Sequence, residues 1–274
     1  MTIDEKHQKL REIIAGCGKL AVAFSGGVDS SFLLKAAHDV LGDRVLAVTA
    51  DSVFIPRAEI QEARDFCQSQ GIRQRIVRID VLSVAGVKDN PADRCYHCKR
   101  GIFERMLSAA ADDGIAVVAE GSNVDDEGDY RPGMRAIHEL SVRSPLKEAG
   151  LNKAEIRELS RRLGLNTWDK PSMACLASRV PYGEELNCEK LRRVEQAEES
   201  LHGLGIVQCR VRCHGTLARI EVLPADFNKI LQEPARTKLI DSFKQFGFSY
   251  VSLDLKGFRS GSMNETLNKE NSHA

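Results

Sequence analysis

A short glycine-rich segment combines residue types that bind phosphate groups. It contains, in chain order, Ser25, Gly26, Gly27, Asp29 and Ser30. Glycines let the backbone approach an anion closely, and the helix pattern that follows would add unpaired N–H groups and a partial positive charge. The serines add hydroxyl donors. The segment is neither a Walker A loop nor a dinucleotide-binding turn. It therefore predicts another kind of phosphate loop, with a plain turn between a strand and a helix as the alternative.

Three cysteines form a second group that can do chemistry. Cys95 and Cys98 have the C-x-x-C spacing, and Cys175 lies in a polar segment further along the chain. Structural zinc needs four ligands, so a zinc site would recruit His97 or another group. Three thiolates can instead hold a 4Fe–4S cluster with one open iron, and the C-x-x-C pair can also form a redox disulfide. The C-x-x-C alone favours zinc, and the residues leave all three interpretations open.

Basic side chains alternate along residues 210–214. Arg210 and Arg212 point to one side of a predicted strand, and Glu221 shares the corresponding face of the next strand. Guanidinium groups suit a phosphate, but the pattern is also typical of the solvent-facing side of an antiparallel sheet. Glu221 and Asp226 are candidate ligands of a cation, with solvated carboxylates as the alternative.

The elements that must position these groups divide the chain in two. Apolar runs alternate with helical patterns over roughly the first 165 residues, which indicates an α/β fold, a doubly wound parallel sheet covered by helices. Asn152 and Glu155 form a capping box that predicts a helix start. Two alternating strands and several helical patterns follow, typical of a small α+β domain. We expect domains at 1–183 and 184–274.

Composition narrows the classes of protein. Lys plus Arg and Asp plus Glu each number 39, so the net charge is zero, and nucleic acid is not an expected partner because its binding relies on basic excess. No apolar run approaches the roughly 20 residues of a membrane span, and the first residues lack a signal-peptide core. We expect a cytoplasmic protein with reduced thiols that forms a homo-oligomer.

The loop sequence SGGVDS resembles the S-G-G-x-D-S signature of the PP-loop ATP pyrophosphatase superfamily. The resemblance implies cleavage of ATP to AMP and pyrophosphate, adenylation of a substrate oxygen, and Asp29 near Mg²⁺. It also implies that Gly121, after the fourth predicted strand, lies at the sheet edge where α/β ligands bind. Asp51 and Ser52 would lie near the adenosine. Surface turns are the alternative for these later residues.

The whole chain resembles the LarE family, ATP-dependent sulfur transferases of nickel-pincer nucleotide synthesis, the cofactor pathway of lactate racemase maturation. The resemblance includes the phosphate loop and the segments 129–133, 175–183, 210–212 and 257–261. In that family ATP adenylates a carboxylate of a pyridinium dicarboxylate mononucleotide, and sulfur is then delivered to that carbon. The resemblance implies additional ATP ligands in Lys99 and Arg131. It implies substrate ligands in Ser178, Arg179, Arg210 and Arg212.

Cysteines divide the LarE family into two types. One type has a single cysteine, at the position of Cys175, which gives up its own sulfur. The other has three cysteines that bind a 4Fe–4S cluster able to carry an extra sulfide. With Cys95, Cys98 and Cys175, this chain resembles the cluster type, so we expect the three thiols to converge and Cys175 to be catalytic. A sacrificial Cys175, a tRNA thiolase, an amide-forming synthetase and a nucleotide sensor are the alternatives.

Overall fold

The computed structural model describes residues 1–128, 132–171, 174–259 and 262. The chain forms two compact units. The first unit comprises Met1–Val84 and Asp93–Met173. The second comprises Ala85–Ala92 and Ala174–Ala274. The second unit therefore includes a short segment, Ala85–Ala92, from the N-terminal half of the chain.

A parallel four-stranded sheet lies at the centre of the first unit, in the order β3-β2-β1-β4. Its strands are β1 (Leu20–Ala23), β2 (Val45–Asp51), β3 (Gln74–Arg78) and β4 (Val118–Ala119). Val22 pairs in register with Ala47 on one side and with Ala119 on the other. All three are fully buried, because parallel strands are covered on both faces.

Helices flank this sheet and confirm the predicted α/β class. They are α1 (Ile3–Ala15), α2 (Val28–Leu41), α3 (Arg57–Ser69), α4 (Arg94–Asp112), α5 (Pro132–Glu139), α6 (Pro145–Glu148) and α7 (Lys153–Arg162). Phe32 and Leu33 of α2 belong to the same buried cluster as Leu20 and Val22 of β1. This packing fixes the start of α2 at the end of β1, where the phosphate loop lies.

The start of α7 has the capping box that the sequence predicts. Asn152 Oδ1 accepts a hydrogen bond from Glu155 N at 2.9 Å, and Glu155 Oε2 accepts one from Asn152 N at 3.0 Å. Leu151 and Ile156, on either side of the cap, are both fully buried. Such a cap contributes about 1 kcal/mol to helix stability and holds the first turn of α7 in place.

The second unit is a small α+β structure with a three-stranded sheet in the order β5-β6-β7. Its elements are α8 (Cys188–His202), β5 (Cys209–His214), β6 (Leu217–Val222), α9 (Phe227–Leu231), α10 (Ala235–Gln245) and β7 (Tyr250–Leu253). β5 and β6 are antiparallel, with Arg212 opposite Arg219, whereas β6 and β7 are parallel. No helix in the described part of the chain is long and apolar enough to cross a membrane.

Candidate active site

The predicted phosphate loop joins β1 to α2. Gly26 has φ +73°, a conformation that favours glycine. The hydroxyl groups of Ser25 and Ser30 are 3.0 Å apart, and the Ser30 hydroxyl also accepts from Ser25 N at 3.3 Å. Gly27 is the N-cap residue of α2 and forms no side-chain cap. The first N–H groups of α2 are therefore left without a capping side chain, an arrangement that suits an anion.

Gly121 lies against this loop. A Cβ atom at residue 121 would stand 3.0 Å from Ser30 N and 3.2 Å from the carbonyl carbon of Asp29. These neighbours are backbone atoms at the start of α2, so they cannot turn aside as a flexible side chain would. The close approach of two backbone segments explains the glycine. The turn after β4 thus sets one side of the phosphate loop, at the sheet edge where α/β folds bind ligands.

Asp29 has two partners that the sequence did not suggest. Its Oδ1 accepts a hydrogen bond from Asn123 Nδ2 at 3.4 Å, and its Oδ2 pairs with the ammonium group of Lys153. The Asp29 side chain is 24% exposed and that of Lys153 is 33% exposed. Asp29 is therefore held at the mouth of the loop, and a solvent-borne cation can still reach it.

A second lysine contacts the loop from the end of the first unit. Lys170 Nζ donates to Gly26 O at 3.1 Å and to Glu62 Oε2 at 2.6 Å. Arg157 holds the backbone there by donating to Trp168 O at 2.6 Å and to Lys170 O at 2.9 Å. Two ammonium groups, those of Lys153 and Lys170, thus lie at the phosphate loop.

The turn after β4 is organised by a buried carboxylate. Glu120 accepts hydrogen bonds from Ser122 N at 3.1 Å, Ser122 Oγ at 2.8 Å and Ser144 Oγ at 2.6 Å. Met134 Sδ lies 3.5 Å from Ser122 Oγ and 3.9 Å from Lys99 Nζ. Lys99, expected to be an ATP ligand, therefore reaches the neighbourhood of the turn that contains Gly121.

The other expected ATP residues have different environments. Asp51 Oδ1 accepts from Arg57 Nη1 at 2.5 Å. Ser52 is buried, and its hydroxyl accepts from Phe54 N at 3.3 Å. Both residues lie at the carboxyl end of β2, one strand away from the phosphate loop. Arg131 lies outside the described residues.

Cys95 and Cys98 lie at the start of α4 (Arg94–Asp112). Cys95 is exposed and Cys98 is half-buried, and neither forms a disulfide. Arg94 Nη2 lies 3.6 Å from Cys95 Sγ. Tyr96, between the cysteines, donates to Glu139 Oε2 at 2.6 Å, and the Arg135 guanidinium lies 3.7 Å from its ring centroid. These contacts with α5 fix the orientation of the first turn of α4.

Cys175 belongs to the second unit and is an exposed free thiol. The buried guanidinium of Arg179 holds the backbone beside it, because Arg179 Nη1 donates to Ala174 O at 2.6 Å and to Cys175 O at 3.0 Å. Ser178 Oγ also donates to Cys175 O, at 2.8 Å. The remaining Arg179 nitrogens donate to Glu198 at 2.9 and 2.8 Å. Ser178 and Arg179, expected to bind substrate, are thus engaged in shaping the Cys175 segment.

Burial would lower the pKa of the Arg179 guanidinium, but the facing carboxylate of Glu198 outweighs burial and raises it. Arg179 therefore stays charged inside the second unit. Glu198 also accepts from Val211 N at 2.9 Å, so one carboxylate ties the Cys175 segment to β5. Sequence analysis missed Glu198 because nothing in its helical surroundings distinguishes it from a solvated acid.

Arg210 and Arg212 lie inside the second unit, so the solvent-facing alternative is wrong. Their exposures are 6% and 5%. Arg212 donates to Ser178 O at 2.9 Å, to Glu221 Oε2 at 2.7 Å and to Ser262 Oγ at 2.9 Å. Its buried Nε has no hydrogen-bond acceptor among the described residues. Burial, followed by the charge of Arg179, lowers the pKa of Arg210.

The two acids proposed as cation ligands already have cationic partners. Glu221 lies 2.7 Å from Arg212 and 3.0 Å from Arg219, and Asp226 lies 2.8 Å from Lys229. Across residues 1–128, 132–171, 174–259 and 262, no group of three His, Cys, Asp or Glu side chains is arranged to hold a metal ion. The cysteine trio is divided, with Cys95 and Cys98 in the first unit and Cys175 in the second.

Lys153, which the motifs do not identify, can nevertheless be recognised from its position at the start of a predicted helix. Lys153 is the first residue of α7, and a cation is unfavourable at a helix N-terminus because the helix dipole is positive there. A lysine at that position needs an anionic partner, which the structure identifies as Asp29. No comparable signal exists for Lys170, whose contacts come from residues distant in sequence.

Comparison with known proteins identifies relatives over the whole chain. The sequence model of the NAD synthase family matches residues 3–95, which include the phosphate loop. An uncharacterized protein of Synechocystis is 41% identical over 97% of this chain and 100% of its own length. An uncharacterized protein of Methanocaldococcus jannaschii is 30% identical over 88% of this chain and 91% of its own length.

A third relative has an assigned activity. It is the pyridinium-3,5-bisthiocarboxylic acid mononucleotide synthase of Lactiplantibacillus plantarum. This protein is 39% identical over 98% of the present chain and 97% of its own length. The similarity therefore covers both compact units.

Proposed function

The chain belongs to the LarE family, that of the pyridinium-3,5-bisthiocarboxylic acid mononucleotide synthase, and from this premise we propose that it activates a carboxylate of a pyridinium dicarboxylate mononucleotide with ATP and converts it to a thiocarboxylate. The chain is a PP-loop, ATP-dependent enzyme. The proposal adds the substrate, the residues that bind it and the source of the sulfur. Its product would serve nickel-pincer nucleotide synthesis.

The main support for the proposal is the arrangement of the phosphate loop and of Gly121 beside it. Gly26 and Gly121 let backbone N–H groups approach phosphates, and Asp29 has the carboxylate that Mg²⁺ binding requires. A substrate carboxylate oxygen attacks the α-phosphorus of ATP. The bond from that phosphorus to the bridging oxygen breaks, and its electron pair leaves with pyrophosphate. Mg²⁺, held by Asp29, would neutralise charge on the pyrophosphate, and Lys99 would bind an oxygen of the same leaving group.

The second unit contributes the proposed substrate site. Arg210 and Arg212 are buried, and Arg212 has a buried Nε without an acceptor among the described residues. A buried donor without a partner costs about 1–3 kcal/mol, which a phosphate oxygen of the mononucleotide would offset. Arg179 and Ser178 hold the backbone that presents Cys175. Activation makes AMP the leaving group when a sulfur nucleophile attacks the acyl carbon.

Cys95, Cys98 and Cys175 are the proposed cluster ligands. Cys95 and Cys175 are exposed and Cys98 is half-buried, and three cysteine thiolates are a donor set that can hold three irons of a 4Fe–4S cluster. When bound there, a 4Fe–4S cluster would supply sulfide for the transfer. Cys175 is the residue proposed to face the acyl adenylate in both this route and the alternative, in which it gives up its own sulfur.

Anaerobic turnover experiments test the sulfur source. The chain reconstituted with iron and sulfide should contain about four irons per chain and form more than one thiocarboxylate per chain, with Cys175 unchanged by mass spectrometry. Cys188→Ala, which removes an exposed cysteine outside the trio, should behave as the wild type. One product per chain together with dehydroalanine at Cys175 would instead establish the sacrificial route.

We also propose a homo-oligomer in the cytoplasm. Several apolar side chains of the second unit are exposed, including Val207, Tyr250 and Leu255, and contacts between chains would cover such groups. No disulfide joins the cysteines in the described part of the chain, and a reducing compartment keeps cysteines in this state. Light scattering of the purified chain tests the oligomer, because a mass near 30.3 kDa would contradict it.

A further inference from the structure

The ammonium group of Lys170 binds a backbone carbonyl of the phosphate loop. Lys170 Nζ donates to Gly26 O at 3.1 Å across 144 positions of sequence, and the Lys170 side chain is 18% exposed. The contact turns this carbonyl group towards a fixed positive charge. A carbonyl oxygen that faced the phosphates of ATP would repel them, so the direction of the Gly26 carbonyl matters for binding.

The peptide bond between Gly26 and Gly27 converts this contact into the direction of an N–H group. A trans peptide is planar, so its C=O and N–H bonds point in opposite directions. Gly26 O lies on the side of Lys170, and Gly27 N donates to Ser25 Oγ at 3.4 Å. The Ser25 hydroxyl lies 3.0 Å from that of Ser30, and these two donors belong to the proposed phosphate site. Lys170 therefore directs Gly27 N–H towards that site.

The two glycines make this peptide easy to turn over. Gly26 has φ +73° and Gly27 has φ −78°. Turning the peptide plane by half a revolution would move φ of Gly27 to about +100°, a region open to glycine and disfavoured for other residues. The reversed peptide would present a carbonyl oxygen to the phosphates. The glycines that permit close approach of an anion thus need another group to fix the peptide.

Lys170 is itself held in place without a ligand. Its N–H donates to Thr167 O at 3.1 Å, and its carbonyl oxygen accepts from Arg157 Nη2 at 2.9 Å. Its ammonium group also donates to Glu62 Oε2 at 2.6 Å. Pro171 follows and restricts the Lys170 backbone further. The ammonium group is therefore a fixed donor for the Gly26 carbonyl.

We propose that Lys170 is a positioning residue that keeps the Gly26–Gly27 peptide in the orientation that binds phosphate. The inference rests on the proposed binding of ATP phosphates at this loop. Lys170 acts through the Gly26 carbonyl, makes no contact with ATP and transfers no proton. This role differs from that of Lys99, which the proposed function assigns to the departing pyrophosphate.

Equilibrium binding of Mg·ATP to the full-length chain tests the inference. Lys170→Met keeps the length of the side chain and removes its charge. We expect the Kd for Mg·ATP to rise about tenfold or more, because a hydrogen bond from a charged group is lost and the peptide can reverse. The Kd for adenosine, which has no phosphate, should change by less than about twofold. Lys170→Arg should restore part of the affinity for Mg·ATP, and Lys170→Gln is a second uncharged variant if Lys170→Met does not fold.

A substitution at Gly27 separates positioning of the peptide from support of the fold. Gly27→Ala disfavours the reversed peptide, because alanine avoids positive φ. Its Cβ atom would stand 3.4 Å from Ser25 Oγ. In the Gly27→Ala background, Lys170→Met should raise the Kd for Mg·ATP by about threefold or less, since the alanine then holds the orientation. The double-mutant cycle removes whatever the methyl group itself costs.

Glu62→Gln is the matched control. It removes the carboxylate that pairs with Lys170, a side chain that is 58% exposed. It leaves the ammonium group and the Gly26 carbonyl in place. Because exposed ion pairs contribute little, the Kd for Mg·ATP should change by less than about twofold.

Unchanged affinity for Mg·ATP in Lys170→Met would overturn the inference. The same rise in Kd with glycine and with alanine at residue 27 would also overturn it, and Lys170 would then only support the fold. An equal loss in Glu62→Gln would assign the effect to the ion pair instead. A wild type that binds no Mg·ATP would refute the proposed ATP site together with the inference, whereas normal wild-type binding with an unaffected Lys170→Met variant would refute the inference alone.

Discussion

Gly121 meets the backbone of Ser30 so closely that a Cβ atom at residue 121 would lie 3.0 Å from the Ser30 nitrogen. This contact joins the turn after β4 to the phosphate loop after β1. The two strands are neighbours in the sheet, with Val22 paired to Ala119. The position of the loop is thus set by the pairing of β1 with β4 and by the absence of a side chain at residue 121.

Gly121→Ala should displace the phosphate loop. The added methyl group meets backbone atoms on α2, and overpacking of this kind costs about 1–3 kcal/mol. We expect the KM for ATP to rise about tenfold, since misplacement of binding groups is costly, with AMP still the product. Gly16→Ala is the control, because its Cβ would make ordinary contacts of 3.6 Å. A lower Tm with an unchanged KM for ATP would show that the contact supports only the fold.

Arg212→Ala should weaken binding of the mononucleotide. Its guanidinium is buried between Ser178, Glu221 and Ser262, and losing a bond to a charged group costs about 1.5–3 kcal/mol. The KM for the mononucleotide should therefore rise by about tenfold or more, while ATP affinity is retained. Arg193→Ala, which removes an arginine paired with the exposed Glu189 on α8, is the control. An equal loss of ATP affinity would assign the arginine to the fold instead.

Glu198→Ala should destabilise the chain strongly. It leaves the fully buried guanidinium of Arg179 without its carboxylate, a change that typically costs about 3–5 kcal/mol. Glu189→Ala removes an exposed carboxylate from the same helix and should cost at most about 0.5 kcal/mol. Urea unfolding measures the free energy of unfolding of both variants. Equal losses of this free energy would contradict the structural role of the buried pair of Arg179 and Glu198.

Cys67 should make stability depend on alkaline pH. Burial raises the pKa of its thiol from 9.0 to about 12. Because the pKa of the Cys67 thiol is higher in the folded chain than in the unfolded chain, its contribution to the free energy of unfolding is complete below pH 9. This contribution is lost as the pH rises towards 12. The slope is at most about 1.4 kcal/mol per pH unit. Urea unfolding between about pH 8 and pH 10.5 measures the free energy of unfolding. This free energy should fall less steeply with pH in Cys67→Ala than in the wild type or in Cys188→Ala. Identical slopes in all three proteins would contradict the prediction.

The sequence predicted the elements whose signals are local. The strand–loop–helix order around Ser25 to Ser30 and the capping box at Asn152 depend on neighbouring residues, and the structure has both. Helix α1 was not predicted, although Thr2 and Glu5 form a capping box there. The buried residues of this helix are Leu10 and Ile14, so its apolar periodicity is short.

The partners of charged groups were much harder to predict. The alternating pattern of residues 210–214 fits Arg212 either as a phosphate ligand or as a solvated residue, whereas its burial against Glu221 depends on the pairing of β5 with β6. Lys153 and Lys170 reach the phosphate loop across more than 100 positions of sequence. Local patterns identify an alternating or capped segment, but they do not state which distant side chain will face it.

The products formed from ATP test the central claim most directly. With ATP labelled at the α-phosphate, Mg²⁺ and the pyridinium dicarboxylate mononucleotide, the wild type should form AMP and pyrophosphate in equal amounts. Asp29→Asn should slow this by about a hundredfold or more, by analogy with the loss of a metal or charge-stabilising group. Asp39→Asn, which changes an acid on the same helix that pairs with Lys35, should remain active. Formation of ADP and phosphate by the wild type, or no dependence on the mononucleotide, would contradict adenylation of a carboxylate.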